Sequence, residues 1–191
     1  MIRSRLETER LVLRLFTPDD VQAMYDLNSD PEVTRYAEAA PVRDLQEARE
    51  KLESGPLSDY EKYGYGRFAI EDRATGKVIG FCGIKFIPEI GLPEIGYRLA
   101  KVYWGRGLAT EAARACVDFA RDDLKIGKLV ALIIPENTAS VRVAEKLGMR
   151  KGPLIEIYGV EALQYEMLLN DTERTPDARG THGGEEPGMT R

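Results

Sequence analysis

One histidine, two cysteines and one tryptophan are all that this chain of 191 residues holds of those types. Cys82 and Cys116 are too few for a disulfide framework or a zinc site. Each stands among apolar neighbours, which predicts buried free thiols. His182 falls in a segment, 171–191, that is rich in Gly, Pro, Thr and charge and has no apolar periodicity, which predicts a disordered tail. The general base of a Ser-His or Cys-His hydrolase is therefore missing from the folded part, which argues against both classes. A basic excess is missing too. The net charge of −5 argues against nucleic acid as the main partner. No apolar run approaches the roughly 20 residues of a membrane span. Met1-Ile2-Arg3-Ser4-Arg5 leads into charged sequence with no apolar leader core, so the expectation is a cytoplasmic protein without a signal peptide.

What is present suits one domain, residues 1–170, with a real core: 43% hydrophobic and 31% charged residues. Glu9 to Phe16 reads as a strand with Leu11, Leu13 and Leu15 on one face. Thr17-Pro18-Asp19-Asp20 then opens a helix running to about Asn28, and Asp30-Pro31-Glu32 starts a shorter one. Asp44 caps a third helix to Ser54, with Leu45, Ala48 and Leu52 as its stripe and Gly55-Pro56 as its stop. Arg67 to Arg73 and Lys77 to Ile87 flank the hairpin turn Ala74-Thr75-Gly76. Glu94 to Tyr103 is a fourth strand and Leu108 to Leu124 a helix with a face of small residues. Leu129 to Ile134 is a doubly buried strand, Thr138 to Leu147 a helix stopped by Gly148, and Met149 to Tyr158 and Ala162 to Asn170 close the fold. This order implies a mixed α/β layer with a parallel step where strand, helix and strand alternate.

The most telling stretch is Tyr103-Trp104-Gly105-Arg106-Gly107-Leu108-Ala109-Thr110-Glu111-Ala112, between a strand and an amphipathic helix. Alternating glycines permit close approach and unusual dihedrals, and the helix start adds unpaired amides and a positive dipole end. A phosphate-bearing ligand is the expectation.

This motif at the fourth strand, with Glu136-Asn137-Thr138-Ala139-Ser140 and Glu145-Lys146-Leu147-Gly148-Met149 one strand later, resembles the GNAT superfamily of N-acetyltransferases. Glu7-Thr8-Glu9-Arg10-Leu11-Val12-Leu13-Arg14 and Glu94-Ile95-Gly96-Tyr97 resemble, more narrowly, the branch of the ribosomal-protein N-terminal acetyltransferases. The resemblance covers residues 7 to about 169. It implies a mixed, mostly antiparallel twisted sheet of about seven strands, flanked by about four helices and splayed at a bulge in strand four.

The resemblance also implies acetyl-CoA as acyl donor and no metal. Gly105, Arg106, Gly107, Leu108, Ala109 and Thr110 would hold its pyrophosphate, through amides, the Thr110 hydroxyl and the Arg106 charge. The family's Gln/Arg-x-x-Gly-x-Gly/Ala pattern is met as Trp104-x-x-Gly107-x-Ala109. Trp at the first position departs from the broad pattern and removes a polar contact. Backbone from Tyr97 to Leu99 would pair with the pantetheine arm, and an amide near Leu99 would face the oxyanion. Asn137 and Ser140 match positions near the pantetheine and sulfur, although Asn137 also reads as a plain helix cap.

An acceptor amine must be neutral to attack, yet alkyl ammonium groups titrate near about pH 10 and alpha-amines near about 8. A carboxylate base is therefore useful, and the resemblance places it at Glu94. Ser140 would return a proton to sulfur, with Tyr158 as its fallback. Tyr36, Tyr60, Tyr63, Tyr65 and Tyr158, with Asp26, Asp30, Glu32 and Glu38, would attract and frame a cationic acceptor. The alternative for these side chains is a solvated helix and half-buried rings. The implied acceptor is the alpha-amine of a protein N-terminus. The alternatives are a small-molecule amine (antibiotic, polyamine or amino acid) and a non-catalytic acyl-CoA-binding module. Such a protein would act as a monomer or a homodimer, the latter through an exposed C-terminal edge strand.

Overall fold

A computed structural model describes residues 3–36 and 40–169. The segment from 170 onward, with His182, lies outside the described residues, as does Glu38. Two short strands open the chain, Arg5–Glu7 (β1) and Leu11–Arg14 (β2). Leu11 and Leu13 are fully buried. A 3₁₀ turn at Pro18–Asp20 leads into Val21–Asn28 (α1). Asp20 closes the turn by accepting from the Thr17 amide at 2.8 Å and from both terminal nitrogens of Arg14. Pro31–Thr34 (α2) and Leu45–Leu52 (α3) follow, each started by an Asp that caps a backbone amide at 2.9 Å. The apolar stripe of α3 is narrower than expected: Ala48 and Leu52 are fully buried, but Leu45 is exposed.

Gly55-Pro56 does not end the helical region as its composition suggests. The chain breaks helical geometry only at Gly55 (φ −96°, ψ −110°) and resumes as Ser58–Tyr63 (α4), which Gly64 terminates in a left-handed conformation. Arg67–Asp72 (β3), Val78–Ile87 (β4) and Leu92–Leu99 (β5) then build the antiparallel centre of the sheet. The fourth strand expected from sequence is β5. It stops at Leu99 rather than Tyr103, because Lys101–Tyr103 coil into a 3₁₀ turn. The remaining elements are Leu108–Asp122 (α5), Lys128–Ile133 (β6), Thr138–Lys146 (α6), Arg150–Ile157 (β7) and Val160–Leu168 (β8).

The strands form one sheet of eight, ordered β1-β2-β3-β4-β5-β6-β8-β7. The eighth strand, beyond the seven expected, is β1. Every neighbouring pair is antiparallel except β5–β6. Against one face, α5 packs Ala112, Cys116 and Phe119 onto Leu13, Phe68, Ile84 and Ile95. Cys82 and Cys116 are buried free thiols, as expected. The other face carries α1 and α3, whose Met24, Leu27, Ala48 and Leu52 meet Ala69 and Phe81. One layer of helix on each side thus leaves the β5–β6 seam to shape the site.

Candidate active site

The β5–β6 seam is barely closed. Its register holds a single pair, Glu94 opposite Val130. Beyond it β5 continues to Leu99, paired without interruption to β4 from Leu92 to Leu99. The splay expected at this strand is therefore present, but the expected bulge is not found in the β4–β5 ladder. Two strands diverging from one paired point suffice to open the cleft. The Ala100 amide is spent on the Ile79 carbonyl at 2.9 Å. Strand alternation then aims the backbone of Arg98 at β4 and that of Tyr97 and Leu99 into the cleft. The Leu99 carbonyl is already taken, accepting from the Trp104 indole Nε1–H at 2.7 Å. The Leu99 amide is not drawn into the β4 ladder and faces the open side.

Trp104 thus has a job that the sequence pattern did not show: it ties the end of β5 to the glycine turn. Gly105 (φ 73°) and Gly107 (φ 78°) both adopt left-handed backbone, and Gly107 caps α5. The first helical bond runs from the Glu111 amide to the Gly107 carbonyl at 3.0 Å. The amides of Leu108, Ala109 and Thr110 consequently have no acceptor within the helix. Gly105, Arg106 and Gly107 are exposed, whereas Leu108 and Thr110 are buried. Beside the turn lies a groove of ≈ 410 Å³ lined in part by Arg10, Arg73 and Arg106. Glu9 and Asp72 line the same groove, and Arg10 and Arg73 are paired with Glu111 and Glu7.

The turn is braced from the β1–β2 connection. The Glu111 carboxylate accepts from the Thr8 hydroxyl at 2.6 Å, the Arg10 amide at 2.9 Å and Arg10 Nε at 2.7 Å, and Arg10 Nη1 donates to the Arg106 carbonyl at 3.0 Å. Burial opposes ionisation of Glu111, but these donors outweigh it and hold its carboxyl below the ordinary range. This brace joins residues about a hundred positions apart and has no local sequence signal.

Across the cleft, Asn137 caps α6 by accepting from the Ser140 amide at 3.2 Å, and the Ser140 carbonyl accepts from the Tyr97 hydroxyl at 2.9 Å. The plain capping role of Asn137 is thus real. Tyr97, considered in the sequence only for its backbone, pins the first turn of α6 to β5. Burial pushes its phenol well above the usual range.

Glu94 stands at the point where the strands part, with its side chain 13% exposed. Its carboxylate pairs with Arg67 Nη2 at 3.2 Å. Burial pushes the Glu94 carboxyl above the ordinary range, against the pull of the Arg67 and Lys85 charges and the Leu132 amide. A carboxylate with a raised affinity for protons at the rim of a cleft suits a general base. Asp59 of α4, also buried and pushed up by burial, feels the same two cations. Neither Arg67, Lys85 nor Asp59 stood out in the sequence, because only the strand register brings them to Glu94.

The aromatic and acidic residues divide. Tyr60 is an internal strut, donating to the Arg67 carbonyl and accepting from the Phe16 amide at 3.1 Å. Tyr63 lies 5.4 Å from Phe86 and 6.2 Å from Tyr65, ring centre to ring centre. The Arg35 guanidinium covers Tyr36. Tyr158 sits on the exposed β7–β8 turn and donates to Glu89 at 3.0 Å, and burial together with this bond pushes its phenol up to about 12. Asp26 accepts from Gln22, Asp30 caps α2 and Glu32 pairs with Lys101. The carboxylates gathered about Arg67 and Lys85 are therefore Asp59 and Glu94, not those of α1 and α2. Among the described residues no group of three or more His, Cys, Asp or Glu is placed to hold a metal, and no helix is long and apolar enough to cross a membrane.

A half-open sheet thus faces a glycine turn at the start of a helix. Residues 10–150 match the family described as "Acetyltransferase (GNAT) domain", and the chain belongs to that family, an N-acetyltransferase of the GNAT type. It is similar to "Uncharacterized N-acetyltransferase p20" of Bacillus licheniformis, 36% identical over 155 residues, or 80% of this chain and 86% of that one. It is more distantly similar to "Spermidine N(1)-acetyltransferase" of Escherichia coli (strain K12), 24% identical over 164 residues, or 85% and 80% of the two chains. Among solved structures it is similar to the acetyltransferase from Agrobacterium tumefaciens str. C58, with a TM-score of 0.76 and 31% identity over 87% of this chain and 95% of that one.

Proposed function

We propose that this N-acetyltransferase moves an acetyl group from acetyl-CoA to the alpha-amine of a peptide or protein N-terminus, in a ternary complex and by direct attack. The observation that carries the reading is Glu94, a largely buried carboxylate of raised proton affinity, its side chain 13% exposed, standing where β5 leaves β6. The donor supplies an acetyl thioester. The amides of Gly105 to Thr110 hold its pyrophosphate, and the cleft-facing backbone of Tyr97 and Leu99 receives its pantetheine arm. Glu94 takes the ammonium proton, directly or through one water. The Leu99 amide faces the oxygen on which negative charge develops. Ser140, on the first turn of α6, returns a proton to sulfur. The likeness of Glu7 to Arg14 and of Glu94 to Tyr97 to the ribosomal-protein branch supports a protein terminus as acceptor.

A second reading, a small-molecule amine, is favoured by the similarity to a spermidine acetyltransferase. The test is thiol release from acetyl-CoA against N-terminal peptides, polyamines and aminoglycosides, with calorimetry of acetyl-CoA binding alongside. Release with peptides supports the first reading and release with polyamines alone the second. Absence of both release and binding would sink the assignment of the glycine turn.

A further inference from the structure

The sheet floor beside the cleft holds two facing glycines. Arg67 of β3 stands opposite Gly83 of β4, and Gly83 stands opposite Gly96 of β5. The Arg67 side chain lies across this row. A Cβ on Gly96 would sit 2.9 Å from Nη2, 3.0 Å from Nε and 3.2 Å from Cζ of Arg67, so the guanidinium rests flat on the Gly96 backbone. Phe81 flanks it, with Cζ 5.1 Å from the ring centre, and Arg98 stacks on the same ring at 5.2 Å. Arg98 is held in turn by the buried Asn28. Lys85 stands opposite Glu94 across the β4–β5 ladder. The floor thus gathers three cations, Arg67, Lys85 and Arg98, around two carboxylates, Glu94 and Asp59.

Two features of this cluster are not explained by folding alone. Arg67 Nε is buried with no partner among the described residues, and an unmade bond from a buried donor is destabilising. The Arg67 side chain nevertheless remains 28% exposed, beside the carboxylate it pairs with. A site for a polycation would also place anions here, yet cations outnumber carboxylates.

We infer that the acceptor is an alpha-aminoacyl compound, whose carbonyl or carboxylate oxygen docks on the Arg67 guanidinium while Glu94 takes the proton of the adjacent amine. This rests on the transferase reading above and names its substrate class. In such a compound the nitrogen and the oxygen are two carbons apart, separated by roughly 3 Å. Arg67 Nη2 and Glu94 Oε2, 3.2 Å apart, offer a donor and an acceptor at the same spacing. A guanidinium recognises an oxygen acceptor through directed N–H bonds and repels a second ammonium group. A polyamine has no oxygen to offer and brings added positive charge to a cationic floor. Peptide N-termini and free amino acids share the required chemistry, differing in whether the oxygen is neutral or anionic.

The experiment compares kcat/KM for alaninamide, alanine, isopropylamine and spermidine in the wild type, Arg67→Gln and Arg67→Lys. Isopropylamine keeps the alanine skeleton without the oxygens. The wild type is expected to favour alaninamide or alanine over isopropylamine, and Arg67→Gln to lower that ratio by about 10- to 100-fold. The ratio is the readout, because a mere loss of support for Glu94 slows every acceptor alike and leaves it unchanged. Arg67→Lys, which keeps the charge, should retain much of any preference for alanine. Alanine ahead of alaninamide assigns a free amino acid, and the reverse a peptide terminus. Equal use of isopropylamine or spermidine by the wild type overturns the inference, as does an unchanged ratio in Arg67→Gln variants that bind acetyl-CoA normally. Absence of thiol release with all four amines and with N-terminal peptides overturns the transferase reading, and the acceptor assignment falls with it.

Discussion

Glu94 and Val130 form the register pair at which β5 and β6 meet before they diverge. The residue that ends the parallel pairing is the one whose carboxyl burial pushes upward. Placement at a parting seam gives a side chain low solvation on one side and access to a cleft on the other. That combination raises the affinity for a proton without removing the route by which the proton arrives.

Glu94→Gln should therefore lower kcat by about 10²–10⁴-fold, the usual worth of a positioned base, while leaving the acetyl-CoA dissociation constant unchanged in calorimetry. The pH profile carries the sign. The base works only when ionised, so wild-type activity falls as pH drops through the raised Glu94 value. The Gln variant should lack that acidic limb. A variant that keeps both rate and limb would assign the base elsewhere.

The Trp104 indole bond to the Leu99 carbonyl couples the strand end to the glycine turn. Trp104→Phe removes a bond worth about 0.5–1.5 kcal/mol, which predicts acetyl-CoA binding weaker by about two- to tenfold. Gly107→Glu is expected to be far more severe. A side chain in the left-handed region (φ 78°) costs roughly 1–2 kcal/mol, and a carboxylate here stands where the pyrophosphate would lie. Calorimetry on both variants separates a loosened turn from a blocked one.

Local rules made much of this molecule legible. Asp44 and Asn137 cap the helices that they seemed to cap, and Asp72 to Lys77 turns where Thr75-Gly76 suggested. These signals act over a few residues, where sequence and geometry share one cause. β1 escaped because three residues carry no period, and it exists only through pairing with β2. Helix α4 escaped because Gly-Pro usually stops a helix, whereas here a single distorted residue lets the chain restart. In the site, the glycine turn was plain, but the Arg67–Glu94 pair was not. β3 and β5 never touch in sequence, and only the register through Gly83 superposes them.

Glu111 provides a pH-dependent prediction of stability. Its carboxyl is held below the ordinary range in the folded state, so its contribution is present above the unfolded value and lost as pH falls through the depressed folded one. Glu111→Gln should melt earlier than the wild type at neutral pH, and the gap should close as the medium becomes acidic. Melting curves across that range check it. A gap that persists in acid would mean that shape and not charge makes the brace.

The two floor glycines should fail differently. A Cβ on Gly83 would meet the Arg67 Cα at 2.6 Å and the Gly66 carbonyl oxygen at 2.7 Å, atoms of the backbone that can yield only if the sheet shifts. Gly83→Ala should cost roughly 1–3 kcal/mol, with Tm lowered by about 2–4 °C for each kcal/mol in a chain of this size. The three atoms nearest a Cβ on Gly96 all belong to the guanidinium end of Arg67, a side chain that can swing away. Gly96→Ala should therefore melt near the wild type and bind acetyl-CoA normally, yet lose kcat/KM, since the swing that relieves the contact draws Arg67 away from Glu94. Differential scanning calorimetry and steady-state kinetics on the pair decide it. Equal losses of Tm in both would show that Arg67 is locked in place by the fold, and a fully active Gly96→Ala would show that the resting position of Arg67 does not matter to turnover.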